Sequence, residues 1–85
     1  MSFEIIKQMI DNSTWTSSNQ KYVYKFINDK IISINGHPNQ TYTLNQSDNK
    51  IELRLGSTTT YFIEYVNDFV LNLYNAQEKF RITPA

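Results

Sequence analysis

The residues whose types and spacing are most informative in this chain are its tyrosines, several of which recur at every second position of strand-like segments. Those that share one phase are Tyr22, Tyr24, Tyr42, Tyr61 and Tyr65. A buried phenol normally needs a hydrogen-bond partner, so tyrosines on one inner face can line the polar part of a small pocket. Phe26, Phe69 and Phe80 fall in the same phase and can form its apolar wall. The alternative interpretation is that all of these rings fill a core while their hydroxyl groups reach its edge.

Other candidate catalytic or ligating residues are better interpreted as surface positions. Glu52 and Glu64 can lie on neighbouring strands like the carboxylates of a glycosidase, but such a pair flanks a cleft, and both alternate onto the face assigned to water. His37 stands between Gly36 and Pro38, a context typical of a turn, and has no carboxylate or imidazole partner nearby in the sequence. We therefore predict no catalytic residue, no enzymatic activity, no metal site and no cofactor.

The charge balance excludes several classes of partner. Eight basic and eight acidic residues cancel to a net charge of zero, so the chain lacks the basic character typical of proteins that bind nucleic acids or anionic membranes. There is no cysteine for disulfides or thiolate zinc sites, and one histidine cannot form a metal site alone. No stretch approaches the roughly 20 apolar residues that span a bilayer, and Glu4 and Lys7 interrupt the apolar run of a secretory signal. By default we expect a cytoplasmic domain.

A chain of 85 residues is long enough for one small domain with a thin core, so we predict a single domain over residues 1–85. Within residues 1–12, apolar side chains follow the spacing of an amphipathic helix, which Ser2 can cap. They are Phe3, Ile5, Ile6, Met9 and Ile10. Trp15, the only tryptophan, begins the β-region 13–85, and its ring is large enough to close one end of a barrel.

The β-region contains short segments separated by Asn, Asp, Ser or Gly, which are the residues typical of turns. The predicted strands are 14–17, 21–27, 30–35, 40–45, 50–55, 59–66, 69–74 and 79–83. Almost all connections have hairpin length, whereas parallel strands need crossovers of about a dozen residues or more. The sequence therefore predicts an all-β fold, a small antiparallel up-and-down meander or barrel of about eight short strands with one N-terminal helix.

The alternation of side chains predicts which face of each strand is buried. In residues 51–55, aliphatic residues alternate with Glu52 and Arg54, so one face of this strand is predicted to be exposed to solvent. If Glu64 and Asn72 also face solvent, the joint between their strands needs a bulge or an odd number of loop residues. The inner set then holds Tyr22, Tyr24, Phe26, Ile32, Ile34, Tyr42, Leu44, Ile51, Leu53, Leu55, Tyr61, Ile63, Tyr65, Phe69, Leu71, Leu73, Phe80 and Ile82. So many large side chains predict a mostly filled interior or a small cleft.

The outer face carries more apolar side chains than a fully solvated sheet normally shows. The positions concerned are Val23, Ile27, Ile31, Phe62, Val66, Val70 and Tyr74. Within this set, Phe62, Val66, Val70 and Tyr74 are predicted to form an interface with a second copy or another protein.

A helical turn, a tryptophan in the first strand and an antiparallel meander that ends with an arginine together resemble the small bacterial lipocalin-like domains, which are short calycin-type β-barrels. The resemblance runs from Asp11 to Ile82, with Trp15 at the position of the family's Gly-x-Trp motif and Arg81 in the final strand. It implies that Arg81 packs over Trp15 at the closed end of the barrel by a cation–π contact. Ser13 replaces the motif's glycine, and the chain has no long lid loop, so a deep calyx is not expected.

Two functions of different classes fit these patterns. The first is a non-enzymatic lipocalin-like module that binds a small apolar or aromatic ligand. Its predicted ligand-binding residues are Tyr24, Phe26, Tyr42, Ile63, Tyr65 and Phe69. The second is a protein-interaction or homodimerisation module with a filled barrel and no ligand. Fold alone does not choose between them, because similar barrels host unrelated activities.

Overall fold

A single short helix opens the described part of the chain. The computed structural model describes residues 3–85, including all of their side chains except those of residues 38 and 39, so the predicted cap Ser2 lies outside the described residues. The helix α1, Phe3–Ile10, buries Ile6 and Ile10 and exposes Ile5. It ends where Asn12 adopts a φ of 53°, a left-handed conformation that asparagine tolerates better than most residues. The Ser13 hydroxyl group then donates to the carbonyl group of Ile10 at 2.6 Å.

The strands that follow form a closed antiparallel barrel. They are β1 Thr14–Ser17, β2 Val23–Phe26, β3 Ile31–Ile34, β4 His37–Ser47, β5 Lys50–Leu55, β6 Thr59–Asn67, β7 Val70–Tyr74 and β8 Lys79–Pro84. Each strand pairs with its neighbour in sequence, and β1 pairs with β8 to close the ring. The predicted all-β, antiparallel fold of eight strands with one N-terminal helix is confirmed.

The longest strand, β4, begins earlier than the sequence predicted. Asn35 and Gly36 have φ values of 53° and 81°, which is the left-handed pair that a two-residue hairpin turn requires. The turn therefore occupies only these two residues, and His37 opens β4 opposite Ile34. The prediction that His37 lies in a turn is wrong, because the Asn-Gly pair alone reverses the chain.

The barrel interior contains most of the predicted inner set together with Ile6, Ile10 and Trp15. The buried members of that set are Tyr24, Phe26, Ile32, Tyr42, Ile51, Leu53, Leu55, Tyr61, Ile63, Leu71, Leu73, Phe80 and Ile82. Tyr22, Ile34, Leu44 and Tyr65 pack against them from partly buried positions. Large side chains thus fill the middle of the barrel, as the sequence predicted.

The inward placement of Phe69 is wrong, because this side chain is 70% exposed. Asp68 and Phe69 form a two-residue turn between β6 and β7, and the register shifts between Tyr65 and Asn67. This irregularity restores the phase, so Glu64 lies opposite Asn72, whose side-chain amide donates to the Glu64 carboxylate at 2.9 Å. The predicted need for a bulge is confirmed. Phe69 lies in the turn, so its side chain is not on the inner face.

The predicted contact between Arg81 and Trp15 is also wrong. Arg81 is exposed between the buried residues Phe80 and Ile82, so its side chain lies on the outer face of β8. Trp15 is buried on the inner face, and its indole N–H group donates to the Ser13 hydroxyl group at 2.7 Å. The two side chains therefore stand on opposite sides of the barrel wall.

The two ends of the barrel differ because the helix covers only one of them. Ile6 borders a cleft with Ile51 and Ile63, and Lys7 borders another with Asp29 and Tyr42, which places α1 across the end that carries loops 27–30, 48–49 and 68–69. The opposite end carries loops 18–22, 35–36, 56–58 and 75–78, and we call it the mouth. Within residues 3–85, no helix is long and apolar enough to cross a membrane.

The helix should contribute to stability through one face only. Replacing the fully buried Ile6 with alanine is expected to lower the free energy of unfolding by about 2 to 4 kcal/mol, as large-to-small core substitutions do. The same substitution at the exposed neighbour Ile5 should change it by less than about 0.5 kcal/mol. Urea denaturation of both variants measures the difference. Equal losses at the two positions would show that the helix does not seal the barrel through Ile6.

Candidate functional site

Aromatic rings converge just inside the mouth. The rings of Tyr22 and Tyr24 stack with centroids 5.6 Å apart and an interplanar angle of 17°. Phe80 lies beneath them, 5.4 Å from Tyr22 and 5.4 Å from Tyr61, the latter in an edge-to-face arrangement. The residues come from β2, β6, β8 and the loop before β2, so closure of the barrel is what assembles the cluster.

A single carboxylate binds the rim of this cluster. The Tyr61 hydroxyl group donates to Glu78 Oε2 at 3.1 Å, and the Tyr22 hydroxyl group approaches the same oxygen at 3.4 Å, a long and weaker bond. Glu78 is half-buried in loop 75–78, immediately before β8. One acidic side chain therefore accepts hydrogen bonds from two phenols that are distant in the sequence.

Asn75 fixes the loop that presents this carboxylate. Its side-chain oxygen accepts from the backbone N–H groups of Gln77 and Glu78, both at 2.9 Å. Its backbone N–H group donates to the carbonyl group of Glu78 at 2.9 Å, and its side-chain amide donates to the carbonyl group of Thr60 at 3.2 Å. These bonds tie the loop both to itself and to β6, so the position of Glu78 is set by backbone geometry.

Tyr24 is the unusual member of the cluster. Its side chain is 1% exposed, yet its hydroxyl group forms no hydrogen bond with any group in the described part of the chain. The Tyr61 hydroxyl group lies near enough to raise the pKa of Tyr24 through its charge and a weak hydrogen-bonding contact, but it does not meet the Tyr24 oxygen with the distance and angle of a full hydrogen bond. A buried polar group without a partner is uncommon and costs roughly 1 to 3 kcal/mol, so it marks this position for explanation.

The acid–base properties of these phenols follow from their surroundings. Burial raises the pKa of Tyr24 far above its ordinary value, and the nearby Tyr61, Tyr22 and Glu78 raise it further. Burial also raises the pKa of Tyr61, helped by Tyr22 and Glu78. Both hydroxyl groups therefore keep their protons at neutral pH and act as hydrogen-bond donors.

Two connected spaces open at the mouth. An inner cavity of about 210 Å³ has Tyr24, Ile34 and Leu55 in its wall. A wider outer recess of about 520 Å³ has Asn75 and Glu78 in its wall. Tyr22, Thr58, Thr59 and Tyr61 border both spaces. Glu78 thus borders the wider space, and Tyr24 borders the smaller one.

The residues that the sequence predicted as one ligand pocket are not brought together. Tyr24 lies at the mouth, and Phe26 is buried with its ring centroid 5.2 Å from that of Tyr42 in an edge-to-face arrangement. Ile63 and Tyr65 border a cleft of about 250 Å³ at the helix end, and Phe69 is exposed in its turn. Tyr24 is thus separated along the barrel from the other five members of the predicted set, which lie in the core or at the helix end.

At the helix-end clefts, the hydroxyl groups of Tyr42 and Tyr65 form hydrogen bonds, unlike that of Tyr24 at the mouth. The Tyr42 hydroxyl group donates to the carbonyl group of Asn28 at 2.7 Å, and the Tyr65 hydroxyl group donates to Asp68 at 2.6 Å. Burial raises the pKa of Tyr42, and the bond to Asp68 raises that of Tyr65. Only Tyr24 among the buried side chains that the structure describes has a polar atom without a partner.

The predicted interface residues lie on the outer face of β6 and β7. Phe62 and Tyr74 are cross-strand partners with ring centroids 5.6 Å apart, and Lys50 Nζ lies 5.1 Å from the Phe62 ring centroid. Val66 is 41% exposed and Val70 is half-buried. Phe62 and Tyr74 thus partly cover one another, and the more open apolar surface lies towards Val66 and the adjoining Phe69.

Sequence reasoning counted Tyr22 and Tyr61 among the tyrosines that can line a pocket but left both out of the predicted ligand-binding residues, and it assigned neither Thr59 nor Glu78 to a site. The two tyrosines were placed on the inner face, and their position at the mouth-side ends of their strands was the available signal. Glu78 had no such signal, because a glutamate in a polar loop is normally interpreted as solvated surface. Among the residues that the structure describes, no three His, Asp or Glu side chains are grouped so as to hold a metal ion.

Comparison with protein-family models, with curated proteins and with solved structures finds no match to this chain. The strand number, the antiparallel order and the closure of the barrel agree with a calycin-type architecture. Membership of the lipocalin-like family and a bacterial origin stay predictions.

Replacing Tyr24 with phenylalanine is expected to raise the free energy of unfolding at neutral pH by about 1 kcal/mol, because it deletes a buried hydroxyl group that has no partner. Replacing Tyr61 with phenylalanine should instead lower it by about 0.5 to 1.5 kcal/mol, since Glu78 loses a donor. Urea denaturation at pH 7 compares the two. A loss of stability in the Tyr24 variant would mean that its hydroxyl group is satisfied in solution.

The free energy of unfolding of the Tyr24→Phe variant should also depend differently on pH in the alkaline range. Above about pH 10, unfolded tyrosine ionises while Tyr24 keeps its proton, so the unfolded state binds fewer protons and stability falls as pH rises. The wild-type protein should lose up to about 1.4 kcal/mol per pH unit through Tyr24, and the phenylalanine variant should lack that contribution. Parallel slopes in urea denaturation between pH 9 and 11 would contradict the assignment.

Proposed function

We propose that this protein is a non-enzymatic, lipocalin-like barrel that binds a small aromatic or partly apolar molecule at its mouth. The observation that carries the proposal is Tyr24, which borders a cavity at the mouth and whose protonated hydroxyl group is buried without a partner. A ligand with a hydrogen-bond acceptor would satisfy this hydroxyl group once the side chains around it move enough to expose it. The cost of leaving it unpaired in the free protein would then be recovered on binding.

The dimensions and wall of the cavity limit the ligand. At about 210 Å³, the inner cavity is below the roughly 300 to 1,000 Å³ typical of pockets for drug-sized ligands. Its wall combines the aliphatic side chains of Ile34 and Leu55 with the phenol rings of Tyr22, Tyr24 and Tyr61. A compact molecule with one flat or aliphatic body and few polar groups fits this composition. We expect weak to moderate affinity, with a Kd of about 0.1 to 1 mM for fragment-sized compounds.

The site differs from a deep calyx because the middle of the barrel is occupied. Trp15, Phe26, Leu53 and Leu73 are all buried there, and α1 closes the far end. A ligand therefore sits in the opening, above a packed core. This arrangement agrees with the absence of a long lid loop in the sequence and with the small number of residues available to the barrel.

Blocking the cavity should abolish binding without unfolding the protein. Thr59→Trp places a large ring at a partly buried position that borders both mouth spaces, whereas Thr41→Trp places the same ring on an exposed outer position of β4. Protein-observed NMR with a fragment library should show shifts at residues 22–24, 58–61 and 75–80 in wild-type protein and in the Thr41 variant. The Thr59 variant should lose them. Fragments that bind only at the helix end, or bind all three proteins alike, would refute the mouth as the site.

A second candidate function is self-association through β6 and β7, favoured by the 70% exposure of Phe69 beside Val66. A large apolar side chain left in water next to further apolar surface is a feature of interaction sites. The chain has zero net charge, so a second copy meets no overall charge repulsion. On this proposal, Phe62, Val66, Val70 and Tyr74 face their counterparts in a homodimer while the mouth stays open.

Two valines of nearly equal exposure allow a matched test of this interface. Val66 on β6 is 41% exposed and Val23 on β2 is 43% exposed. Val66→Glu should shift sedimentation from dimer to monomer at millimolar concentration, while Val23→Glu should sediment like wild-type protein. A wild-type protein that stays monomeric at that concentration would eliminate the homodimer.

A further inference from the structure

The electrostatic character of the mouth is set by one residue. Glu78 is the only charged side chain in the walls of the two mouth cavities that the described residues form. The remaining polar groups there are neutral hydroxyl and amide groups. An anionic ligand would meet this carboxylate without a compensating cation.

Glu78 also has no cationic partner of its own. Within residues 3–85, the ion pair that forms is between Arg54 and Glu52 on the outer face, and no lysine or arginine pairs with Glu78. Lys79 follows Glu78 in the chain and Lys21 precedes Tyr22, but both lysines are exposed and neither borders the cavities. The carboxylate accepts two phenol hydrogen bonds through Oε2, which leaves the lone pairs of Oε1 for a further donor.

The aromatic groups around the carboxylate suit a positive charge as well. Tyr22 and Tyr61 border both spaces, and their hydroxyl groups already converge on Glu78. The faces of such rings attract cations, more strongly where water is partly excluded. A cation at this point would contact a carboxylate and aromatic surface together.

We propose that the mouth recognises a small organic ammonium compound, with its ammonium group on Glu78 and its uncharged body in the inner cavity. This inference rests on the proposed function and names the ligand class for the same site. The far end of the body carries a hydrogen-bond acceptor that meets the Tyr24 hydroxyl group. The order of the wall residues, with Glu78 in the outer recess and Tyr24 in the inner cavity, sets the direction in which the molecule enters.

A set of three probes separates the contributions of the two ends of the ligand. Tyramine has an ammonium group and a phenol oxygen, 4-(2-hydroxyethyl)phenol replaces the ammonium group with a neutral hydroxyl, and 2-phenylethylamine lacks the phenol oxygen. NMR titration of the wild-type protein at pH 7 should give a Kd for tyramine about tenfold lower than for the alcohol, because a charge-assisted hydrogen bond is lost in the alcohol. Removing the phenol oxygen should also weaken binding, and Tyr24→Phe should erase that second difference.

Glu78→Gln tests the residue itself. Glutamine keeps a side-chain oxygen for Tyr22 and Tyr61, so the fold of the mouth is retained, and the amide spectrum and urea midpoint verify this. The preference for tyramine over the alcohol should fall to within about twofold. Glu52→Gln, which neutralises an outer-face carboxylate paired with Arg54, should leave the preference unchanged.

The outcomes distinguish this inference from the proposed function. If the wild-type protein binds the alcohol as tightly as tyramine, or binds neutral fragments but no amine, the ammonium assignment is overturned and the mouth site stands. If the preference for tyramine survives in Glu78→Gln, the assignment to Glu78 is overturned. If neither the probes nor any library fragment shifts the mouth residues, both the ammonium assignment and the proposed function fail.

Discussion

Closure of the sheet by the pairing of β1 with β8 is the interaction on which the rest of the structure depends. It joins strands about as far apart in sequence as the described chain allows, through the pairs Trp15 with Pro84, Thr16 with Thr83 and Ser17 with Ile82. Without this short seam, an eight-stranded sheet would have two open edges and no interior. The closed ring has two ends, and α1 covers one of them. The open cavities with Tyr24 and Glu78 lie at the other end.

The distribution of polar bonds follows from that asymmetry. At the helix end the phenols of Tyr42 and Tyr65 are paired with a backbone carbonyl group and a nearby aspartate, so those groups are used to stabilise the fold. At the mouth, Tyr24 is buried but unpaired, and Glu78 holds two phenols without neutralising its charge within the described residues. A protein usually tolerates such an arrangement where function requires it, since a filled and satisfied core would be more stable.

Local alternation was sufficient to predict the number and order of the strands, whereas three-dimensional assembly was needed to find the site. The bounds Thr14–Ser17 and Lys50–Leu55 were predicted correctly, because period-two alternation and flanking turn residues act over neighbouring positions. The predictions for Phe69 and Arg81 were wrong. Phe69 lies in the turn between β6 and β7 and not in a strand. Arg81 lies on the outer face of β8, so it cannot contact the buried Trp15. Glu78 joins phenols 17 and 56 residues away, a proximity that only the register of the closed barrel creates.

The rim of the mouth is held by asparagine side chains that replace missing backbone partners. Asn19 accepts from Ser17 and Lys21, Asn35 links Val23 to Lys21, and Asn75 spans its own loop and β6. The loops around the opening are therefore ordered before any ligand arrives. A preorganised rim loses little conformational entropy on binding, so even a molecule of few atoms keeps most of its contact energy as affinity. For the ligand that we propose, association with an already ordered rim is expected to be fast, and so is exchange.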